Sequence, residues 1–491
     1  MRTFVTGWTV LAVLACTALT LSAAAAAPDA GPAVVQVSAD PYTNAAAQHA
    51  TEVEPDTVAA GHTVMSVFQV GRWDNGCSDD IGWAFSNDAG RNWQHGYLPG
   101  LTKFSRPPGP FVRASDPVVA YNARFGEWIA SSLACNGTSP NPSAFVPSPA
   151  VEVNVSFDGV HWSKTIIVAK IKPGQDFDKD WITCDNSTTS RFYGHCYVEW
   201  DVDNHNDLVQ MSTSRDGGQS WSPATATTTR LGATGGEPVV QPDGVVVVPI
   251  IANSGAEVAF RSLNGGRTWG PAVKVASIFE HPFGGQLRGP FFPSVATDRT
   301  GRIYISWPDC RFRANCASND MVLTTSTDGV HWTPVTRIPI DPVTSSVDHL
   351  GGGLGVDQTT AGRHARLALF YNFYPNAACN VSTCRLYEGY VSSTDGGARW
   401  SAPQVLAGPM RMKQLPFAFG YMVGDYEGAA VVPGGRALSA FAVAGIPAAG
   451  QRYNEAMSEP SGGAPVTGGQ RAASASGAHT FTPARMPGIT R

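Results

Sequence analysis

Apolar and polar residues alternate in short runs along most of this chain. The segments "RIYISW" (302–307) and "MVLTTST" (321–327) are examples, and Gly, Pro and Asp bound them. Alternation with a period of two places successive side chains on opposite faces of a β-strand. No segment sustains the 3.6-residue apolar period of an amphipathic helix. The pattern therefore predicts an all-β fold.

One motif, which we call the box, recurs between these runs and reads Ser-x-Asp-x-Gly-x-x-Trp or one residue shorter. The six copies are "SNDAGRNW" (86–93), "SFDGVHW" (156–162), "SRDGGQSW" (214–221), "SLNGGRTW" (262–269), "STDGVHW" (326–332) and "STDGGARW" (393–400). Successive boxes lie about 50 to 70 residues apart, which is room for four short strands in each unit, as in a propeller blade.

The box residues suit a tight hairpin. The carboxylate or amide can accept backbone N–H groups of the turn, Gly can adopt positive φ, and Trp can pack between sheets. Because a catalytic site needs converging groups and not repeated ones, we interpret the box as structural. The predicted turn residues are Asp88, Asp158, Asp216, Asn264, Asp328 and Asp395.

The composition agrees with a turn-rich β protein, since 491 residues include 52 Gly and 36 Pro and only 15% are charged. Residues 1–27 combine Arg2, an apolar run and "SAAAAAP", which is typical of a secretory signal. Cys16 would also permit a lipoprotein signal, but Leu14 fits that signal poorly. We expect a secreted protein with a lead-in at 28–49 and no membrane span.

Eight cysteines remain after the signal, an even number that predicts disulfides in an exported chain. Proximity favours the pairs Cys184–Cys196, Cys310–Cys316 and Cys379–Cys384, which leaves Cys77 with Cys135. Metal ligation is less favoured, because no Cys-x-x-Cys occurs.

The net charge of −5, without a basic block, argues against nucleic acid as a partner. Residues 446–491 are rich in Ala, Gly, Ser and Pro, and we expect a disordered tail there. A monomer is expected.

Candidate chemistry lies where the predicted innermost strands begin, because these ends converge at one mouth of a propeller. Five of six such strands open with a carboxylate, namely Glu54, Asp116, Asp180, Glu237 and Asp425, and the sixth begins at Phe292. Such a ring would raise some pKa values and favour a cation or acid–base chemistry. A structural calcium ion is one expectation, and local capping of each strand turn is the alternative.

A second set of charged residues follows the second strands on the same face. It comprises Arg72 and Asp74 in "GRWDNGCSDD" and Asp309, Arg311 and Arg313 in "WPDCRFR". Each taken alone reads as a solvated loop charge, but together they converge on one face and indicate a site.

The six boxes resemble those of the sialidase superfamily over residues 50–445. The resemblance implies a six-bladed β-propeller of four-stranded antiparallel blades, and hydrolysis of a terminal sialic acid with retention. In that family a Tyr attacks, a Glu activates it, an Asp is the acid/base, and three Arg hold the substrate carboxylate. A phenol suits this role because the substrate carboxylate would repel a carboxylate nucleophile.

Carried onto this sequence, the resemblance implies Tyr426 in "GDYEGAAVVPGG" as nucleophile and Glu237 in "GEPVVQPDG" as its base. Asp74, twelve residues before the first box, would be the acid, with Asp79 and Asp80 as rivals. Arg311 in "ISWPDCRFR" would be the third arginine. Arg72, Asp116, Asp180 and Glu54 would complete the substrate-binding set, and no cofactor would be required.

Two of the three family arginines are missing. The first blade has Val53, Glu54 and Pro55 where a sialidase has Arg-Ile-Pro, and Ala252 and Asn253 stand where the second is expected. Bidentate arginines are hard to replace. Arg113, Arg288 or Arg261 would have to approach from elsewhere.

These observations lead to one main hypothesis, a secreted sialidase-like exo-glycosidase whose substrate need not be sialic acid. A glycan lyase would use Tyr426 as acid with His281 or His349 nearby. The alternative class is a non-catalytic propeller that binds glycan or protein, with exposed aromatics such as Trp73 and Phe291 over a groove.

Overall fold

The computed structural model describes residues 29–30, 32–139, 141, 143–289 and 291–471. Within these residues it contains β-strands and five short 3₁₀ turns, and no α-helix. The all-β prediction is confirmed. The 3₁₀ turns are Asp203–His205, Gly284–Gln286, Ala314–Cys316, Gly362–His364 and Met412–Gln414. The predicted signal at 1–27 lies outside the described residues.

Six blades follow one another along the chain, each a meander of antiparallel strands. The strands of the first three are Gln48–Ala60, Thr63–Arg72, Ser78–Ser86 and Gln94–Tyr97; Arg113–Asn122, Glu127–Cys135, Ala150–Ser156 and Ile166–Lys170; and Phe177–Cys184, Cys196–Val202, Gln210–Ser214 and Thr225–Ala226.

The strands of the next three are Ala233–Thr234, Val239–Val240, Val246–Ala252, Ala256–Ser262 and Val273–Ser277; Ser294–Thr297, Ile303–Asp309, Asp320–Ser326 and Thr336–Arg337; and Asp348–His349, Leu354–Val356, Leu367–Tyr374, Arg385–Ser393 and Gln404–Arg411. Asp29–Ala30 adds in parallel to the outer edge of the sixth blade.

A seventh blade follows the sixth, and its outermost strand comes from the N-terminal end of the chain. Its strands are Ala430–Val432, Arg436–Leu438 with Phe441–Ala444, Glu455–Pro460 with Ala464–Pro465, and Val34–Gln36. Gln470–Arg471 pairs separately with Arg399–Trp400.

The innermost strands of the seven blades contact one another in a closed ring, since the first touches both the second and the seventh. This is the order of a seven-bladed propeller, so the predicted number of six blades is wrong by one. The missed inner strand is Leu354–Val356, and Asp425 precedes the inner strand of a blade that has no box. The number of boxes therefore predicted six blades and missed the seventh.

The expectation of a disordered tail at 446–491 fails for residues 455–465, which form the third strand of the seventh blade. The strand buries Tyr453, Glu455, Met457 and Glu459. Because two of these buried side chains are carboxylic acids, the segment looked like a polar linker. Residues 472–491 lie outside the described part of the chain.

Each box joins the third strand of a blade to the fourth, as the hairpin interpretation requires. In the first box, Asp88 Oδ1 accepts hydrogen bonds from the Arg91 and Asn92 backbone N–H groups at 3.0 and 2.9 Å. The Ser86 hydroxyl donates to the same oxygen. The other five boxes place their Asp or Asn in the same way.

Four disulfides confirm the predicted cysteine pairs. Cys77–Cys135 ties the first blade to the second at the face opposite the boxes, and the other three close short loops.

None of the described helical segments is long and apolar enough to cross a membrane.

Candidate functional site

A cavity of about 670 Å³ opens at the face of the ring opposite the boxes. We call it the mouth cavity. The loops after the second strands of the first two blades line it, together with Asp203, Asp207, Arg288, Gly289, Phe292, Phe419 and Asp425. Its lining includes Phe145 and Phe419, whose side chains are 64% and 46% exposed and therefore face the entrance.

A bulge at the start of three adjacent inner strands forms one wall of the cavity. Glu54, Asp116 and Lys179 have φ of 55°, 50° and 50°, in the left-handed region that non-glycine residues rarely adopt. The register shifts at each of these positions. Bulges re-aim side chains, and backbone strain of this kind costs about 1–3 kcal/mol and concentrates at functional sites.

Lys179, and not Asp180, therefore occupies the position that matches Glu54 and Asp116. The predicted alignment was off by one residue in the third blade, because Asp178 and Asp180 flank the lysine and either can be read as the strand's first carboxylate. Asp180 is buried, and neither of its carboxylate oxygens has a hydrogen-bond partner among the described residues. Burial raises the pKa of Asp180 well above its usual value.

Lys179 links two of the predicted ring carboxylates. Its Nζ lies 3.1 Å from Asp116 Oδ2 and 2.7 Å from Asp425 Oδ2, and all three side chains are buried. The predicted convergence of acids at the mouth is present for Glu54, Asp116 and Asp425. Their cation is the lysine ammonium, so this position does not need a calcium ion.

Arg288 reaches the same carboxylate from a different segment. Its Nε donates to Asp425 Oδ1 at 2.9 Å, and its Nη2 donates to Asp425 Oδ2. The Arg288 backbone N–H donates to the Tyr421 carbonyl at 2.7 Å, which holds the two segments together. Of the three arginines considered as replacements, Arg288 is the one that reaches the mouth.

We call Glu54, Asp116, Lys179, Arg288 and Asp425 the mouth cluster. Although burial opposes ionisation of Asp425, the cations Arg288 and Lys179 hold its pKa well below the usual range. Burial likewise acts against the charge of Asp116, but Lys179 lowers the pKa of that carboxyl. Burial, together with Asp116, raises the pKa of Glu54 to about 7. The cluster thus holds carboxyl groups with widely separated pKa values, the arrangement of acid–base pairs.

Arg72 lines the mouth cavity, as the substrate-binding prediction requires, and its described side-chain hydrogen bond is to a neutral amide, while its Nε is buried without a partner. Its Nη1 donates to Gln69 Oε1, and the Gln69 amide donates to Glu54. Burial lowers the Arg72 pKa.

Arg311 does not join this group. Its Nε and Nη2 bind both oxygens of Asp309 at 2.9 and 2.7 Å, and it does not border the mouth cavity. Arg113 and Arg261 also lie elsewhere. Arg113 packs on Trp73 and donates to Asn75, and Arg261 donates to the Asp328 carbonyl near the fifth box.

Tyr426 lies beside the mouth cluster. Its hydroxyl donates to the Pro117 carbonyl at 3.0 Å, and its ring packs edge-on against Trp181 with centroids 5.2 Å apart. It borders a separate cavity of about 30 Å³ that shares Arg288 and Asp425 with the mouth cavity. Burial, reinforced by Glu54, Asp116 and Asp180, raises the Tyr426 pKa well above its usual value.

Glu237 makes no hydrogen bond to Tyr426 among the described residues. Its Oε2 accepts the Val295 backbone N–H at 2.9 Å, which joins the fourth inner strand to the fifth. Asp56 Oδ2 accepts the Val119 N–H at 2.9 Å in the same way between the first two blades. The described side-chain hydrogen bond of Glu237 is therefore structural, but it connects two blades and does not cap the residue's own strand turn.

Asp74 is half-buried and does not border the mouth cavity. Burial raises its pKa, and Arg452 in the seventh blade lowers it. The rival candidates also have other partners. Asp79 accepts a hydrogen bond from the Trp73 indole N–H, and Asp80 accepts one from the Tyr42 hydroxyl. Among the described residues, no hydrogen bond links Tyr426, Glu237 and Asp74 to one another, and their catalytic roles stay predictions.

Sequence reasoning missed Lys179 altogether and named Arg288 only as a reserve. The signal for Lys179 was available, since "DKDW" and "SDPV" align once the bulge is allowed. No local sequence pattern indicates Arg288, because its partner Asp425 lies 137 residues away in the chain.

No family model and no curated protein matches this chain. Among solved structures, a Hadza microbial sialidase is 17% identical with a TM-score of 0.44, covering 65% of this chain and 63% of its own. A Trypanosoma rangeli sialidase bound to 2,3-difluorosialic acid is 10% identical with a TM-score of 0.46, covering 88% and 59%. An ulvan lyase of a polysaccharide lyase family is 13% identical with a TM-score of 0.45, covering 89% and 96%.

This chain thus spans less than two thirds of the length of these two sialidases. At these identities, the chemistry of the site rests on the residues of this chain.

Proposed function

We propose that this protein is a secreted glycosidase that binds a saccharide in the mouth cavity and removes a terminal sugar there. The observation that carries the proposal is the mouth cluster, in which a buried lysine, a buried aspartate pair and Arg288 meet at the wall of a cavity of about 670 Å³. Such a cavity is large enough for one or two sugar rings, and Phe145 and Phe419 offer apolar faces at its entrance.

The proposed substrate is an uncharged sugar and not sialic acid. Three cations line the mouth cavity, and each already faces a carboxylate or an amide. Six aspartates share that lining, namely Asp116, Asp178, Asp201, Asp203, Asp207 and Asp425. Among the described residues of this lining, no arginine pair is left to clamp a sugar carboxylate with bidentate hydrogen bonds.

For the reaction we retain Tyr426 as the proposed nucleophile and replace its partners. Tyr426 borders the smaller cavity, which shares Arg288 and Asp425 with the mouth cavity, so the proposal requires the reacting sugar carbon to reach that shared wall. Asp116 is the proposed base, because it is ionised and directly precedes Pro117, whose carbonyl holds the Tyr426 hydroxyl. Glu54 is the proposed proton donor, because its pKa of about 7 keeps part of it protonated at neutral pH. Glu237 and Asp74 lose these roles in the proposal.

The test is hydrolysis of a fluorogenic panel of neutral, amino, uronic and sialic glycosides by the purified mature protein. Tyr426→Phe and Asp116→Asn should each lower kcat/KM by at least about 100-fold, and Asp74→Asn should leave it within about threefold. A loss in Asp74→Asn equal to that in Tyr426→Phe would reject the revised roles.

A second candidate, a non-catalytic glycan-binding propeller, is favoured by one observation. The Tyr426 hydroxyl already donates to the Pro117 carbonyl, and the cavity that Tyr426 borders has only about 30 Å³, which admits water but not a sugar ring. Saturable saccharide binding without turnover across the panel would select this candidate.

A further inference from the structure

A second polar cluster lies between the fifth and sixth blades, on the same face as the mouth cavity and separate from it. Asp320 begins the third strand of the fifth blade, and His349 ends the first short strand of the sixth. Asp341 lies on the segment between them. One ligand-type atom from each of these three residues lies within 4.8 Å of the other two.

His349 presents a lone pair that no described group satisfies. Its side chain is 0% exposed, and its Nδ1 lies 3.0 Å from the Asn319 carbonyl oxygen. Because a carbonyl only accepts, Nδ1 carries the proton, and in the neutral ring Nε2 is then an unprotonated acceptor. Nε2 is buried without a hydrogen-bond partner. Left bare, such an atom loses its hydration without compensation.

Asp320 supplies the second unsatisfied atom. Arg313 Nη2 and Arg337 Nη2 lie 2.6 and 2.8 Å from its Oδ1. Its Oδ2 is buried without a hydrogen-bond partner among the described residues. The same two arginines hold Asp341 Oδ1 at 2.7 and 2.6 Å. They fix the two carboxylates from one side, and the Ser345 hydroxyl donates to Asp341 Oδ2, so that Asp320 Oδ2 is the carboxylate oxygen of this pair left for another ligand.

The cluster carries no net positive charge that would repel a cation. Two guanidinium groups balance Asp320 and Asp341, and a third buried carboxylate, Asp348, has its Oδ2 unpartnered beside them. The Cys310–Cys316 disulfide fixes the loop that precedes Asp320. The donor set is therefore held rigidly before any ion arrives, which favours binding.

We propose that Asp320, Asp341 and His349 bind one divalent first-row transition metal ion, with zinc as the probe, and that the ion joins the fifth blade to the sixth. Imidazole nitrogen combined with carboxylate oxygen suits zinc, whereas calcium prefers an all-oxygen set of six to eight ligands. Water completes the coordination. The proposal is independent of the glycan reaction, since none of the three residues borders the mouth cavity.

The test is titration of the chelator-treated, full mature protein with zinc against a chromophoric competitor. We expect one high-affinity equivalent, a zinc-dependent rise in Tm, and no displacement by millimolar calcium. His349→Ala and Asp320→Asn should each weaken zinc binding by at least about tenfold. His281→Ala is the matched control, because His281 Nδ1 also lies 2.9 Å from a carbonyl oxygen, that of Cys316, yet the residue is outside the ligand set.

A second measurement holds even where a variant fails to fold. Anomalous diffraction from zinc-soaked crystals of the unaltered protein should place the ion between Asp320 and His349. Zinc found instead at the exposed pairs His161–Asp158 and His331–Asp328 would overturn the proposal, as would the absence of a saturable equivalent or an unchanged affinity in His349→Ala.

Discussion

The Lys179 ammonium lies 2.7 Å from Asp425 Oδ2, although 246 residues separate the two in the chain. This contact joins the third blade to the segment that enters the seventh, across the mouth of the ring. It exists only because the ring closes, so it connects the fold directly to the candidate site.

Removal of that lysine should destabilise the protein. In Lys179→Met, Asp116 and Asp425 would stay buried and lose a counter-ion, for which we expect a loss of about 3–5 kcal/mol in the free energy of unfolding. Urea denaturation measures it. Lys164→Met, at an exposed lysine, is the control and should change stability by less than about 0.5 kcal/mol. Equal stabilities for the two variants would show that the Lys179 contacts are not formed in solution.

The protein should be more stable at mildly acidic pH than at pH 8. Burial raises the pKa of Glu52, Glu257 and Glu459 to about 8 and that of Asp56 and Asp80 to about 7. The native state therefore holds more protons than the unfolded chain. The stability from these groups is complete below their unfolded pKa of about 4 and is lost as pH rises through 7 to 8.

At acidic pH, the dependence of stability on pH has the opposite sign. The lowered pKa values of Asp116 and Asp425 give stability that is present above about pH 4 and lost as pH falls further. Thermal unfolding from pH 3 to 9 should show a maximum between about pH 4 and 6. Glu257→Gln should flatten the alkaline limb, and an unchanged slope in that variant would contradict the assignment.

The four disulfides should contribute unequally. Loop-closure entropy predicts a loss of about 4 kcal/mol for the double Cys→Ala change at Cys77 and Cys135, which are 58 residues apart, and about 2 kcal/mol at Cys379 and Cys384, which are 5 apart. Denaturation of both variants measures this difference. A larger loss from the short loop would show that native-state contacts outweigh the entropy of the unfolded chain.

The box carboxylates should matter for stability and not for saccharide binding. Asp216 Oδ1 accepts the Ser220 N–H and the Ser214 hydroxyl, each at 2.9 Å, on the face opposite the mouth cavity. Asp216→Ala should cost about 1–2 kcal/mol, by analogy with the loss of a capping side chain. Asp216→Asn should cost less, because Asn264 performs the same role in the fourth box. Saccharide affinity should stay within about twofold.

Much of the fold could be predicted because its signals are local. Alternation identified strands, the boxes marked hairpins, and cysteine proximity gave all four disulfides. The seventh blade was not predicted, because it has no box, takes its outer strand from Val34–Gln36 and buries Glu455 and Glu459.

The site was predictable only where strand position determines it. Glu54, Asp116 and Asp425 follow from the start of an inner strand, and they do meet at the mouth. Lys179 requires recognition of a bulge, and Arg288 requires the pairing of two distant loops. The roles that the resemblance implies for Glu237 and Asp74 stay predictions, and their described interactions, with the Val295 backbone N–H and with Arg452, are ones that no sequence motif encodes.

The most direct test of the central claim is saccharide affinity of the Phe145→Ala, Phe419→Ala double variant, measured by titration calorimetry with the best ligand of the glycoside panel. The control is Phe157→Ala, which removes a Phe that is 71% exposed at the second box, on the opposite face. The account predicts a loss of at least about tenfold in the double variant and no change in the control. Unchanged affinity in the double variant, or an equal loss in the control, would place glycan binding outside the mouth cavity.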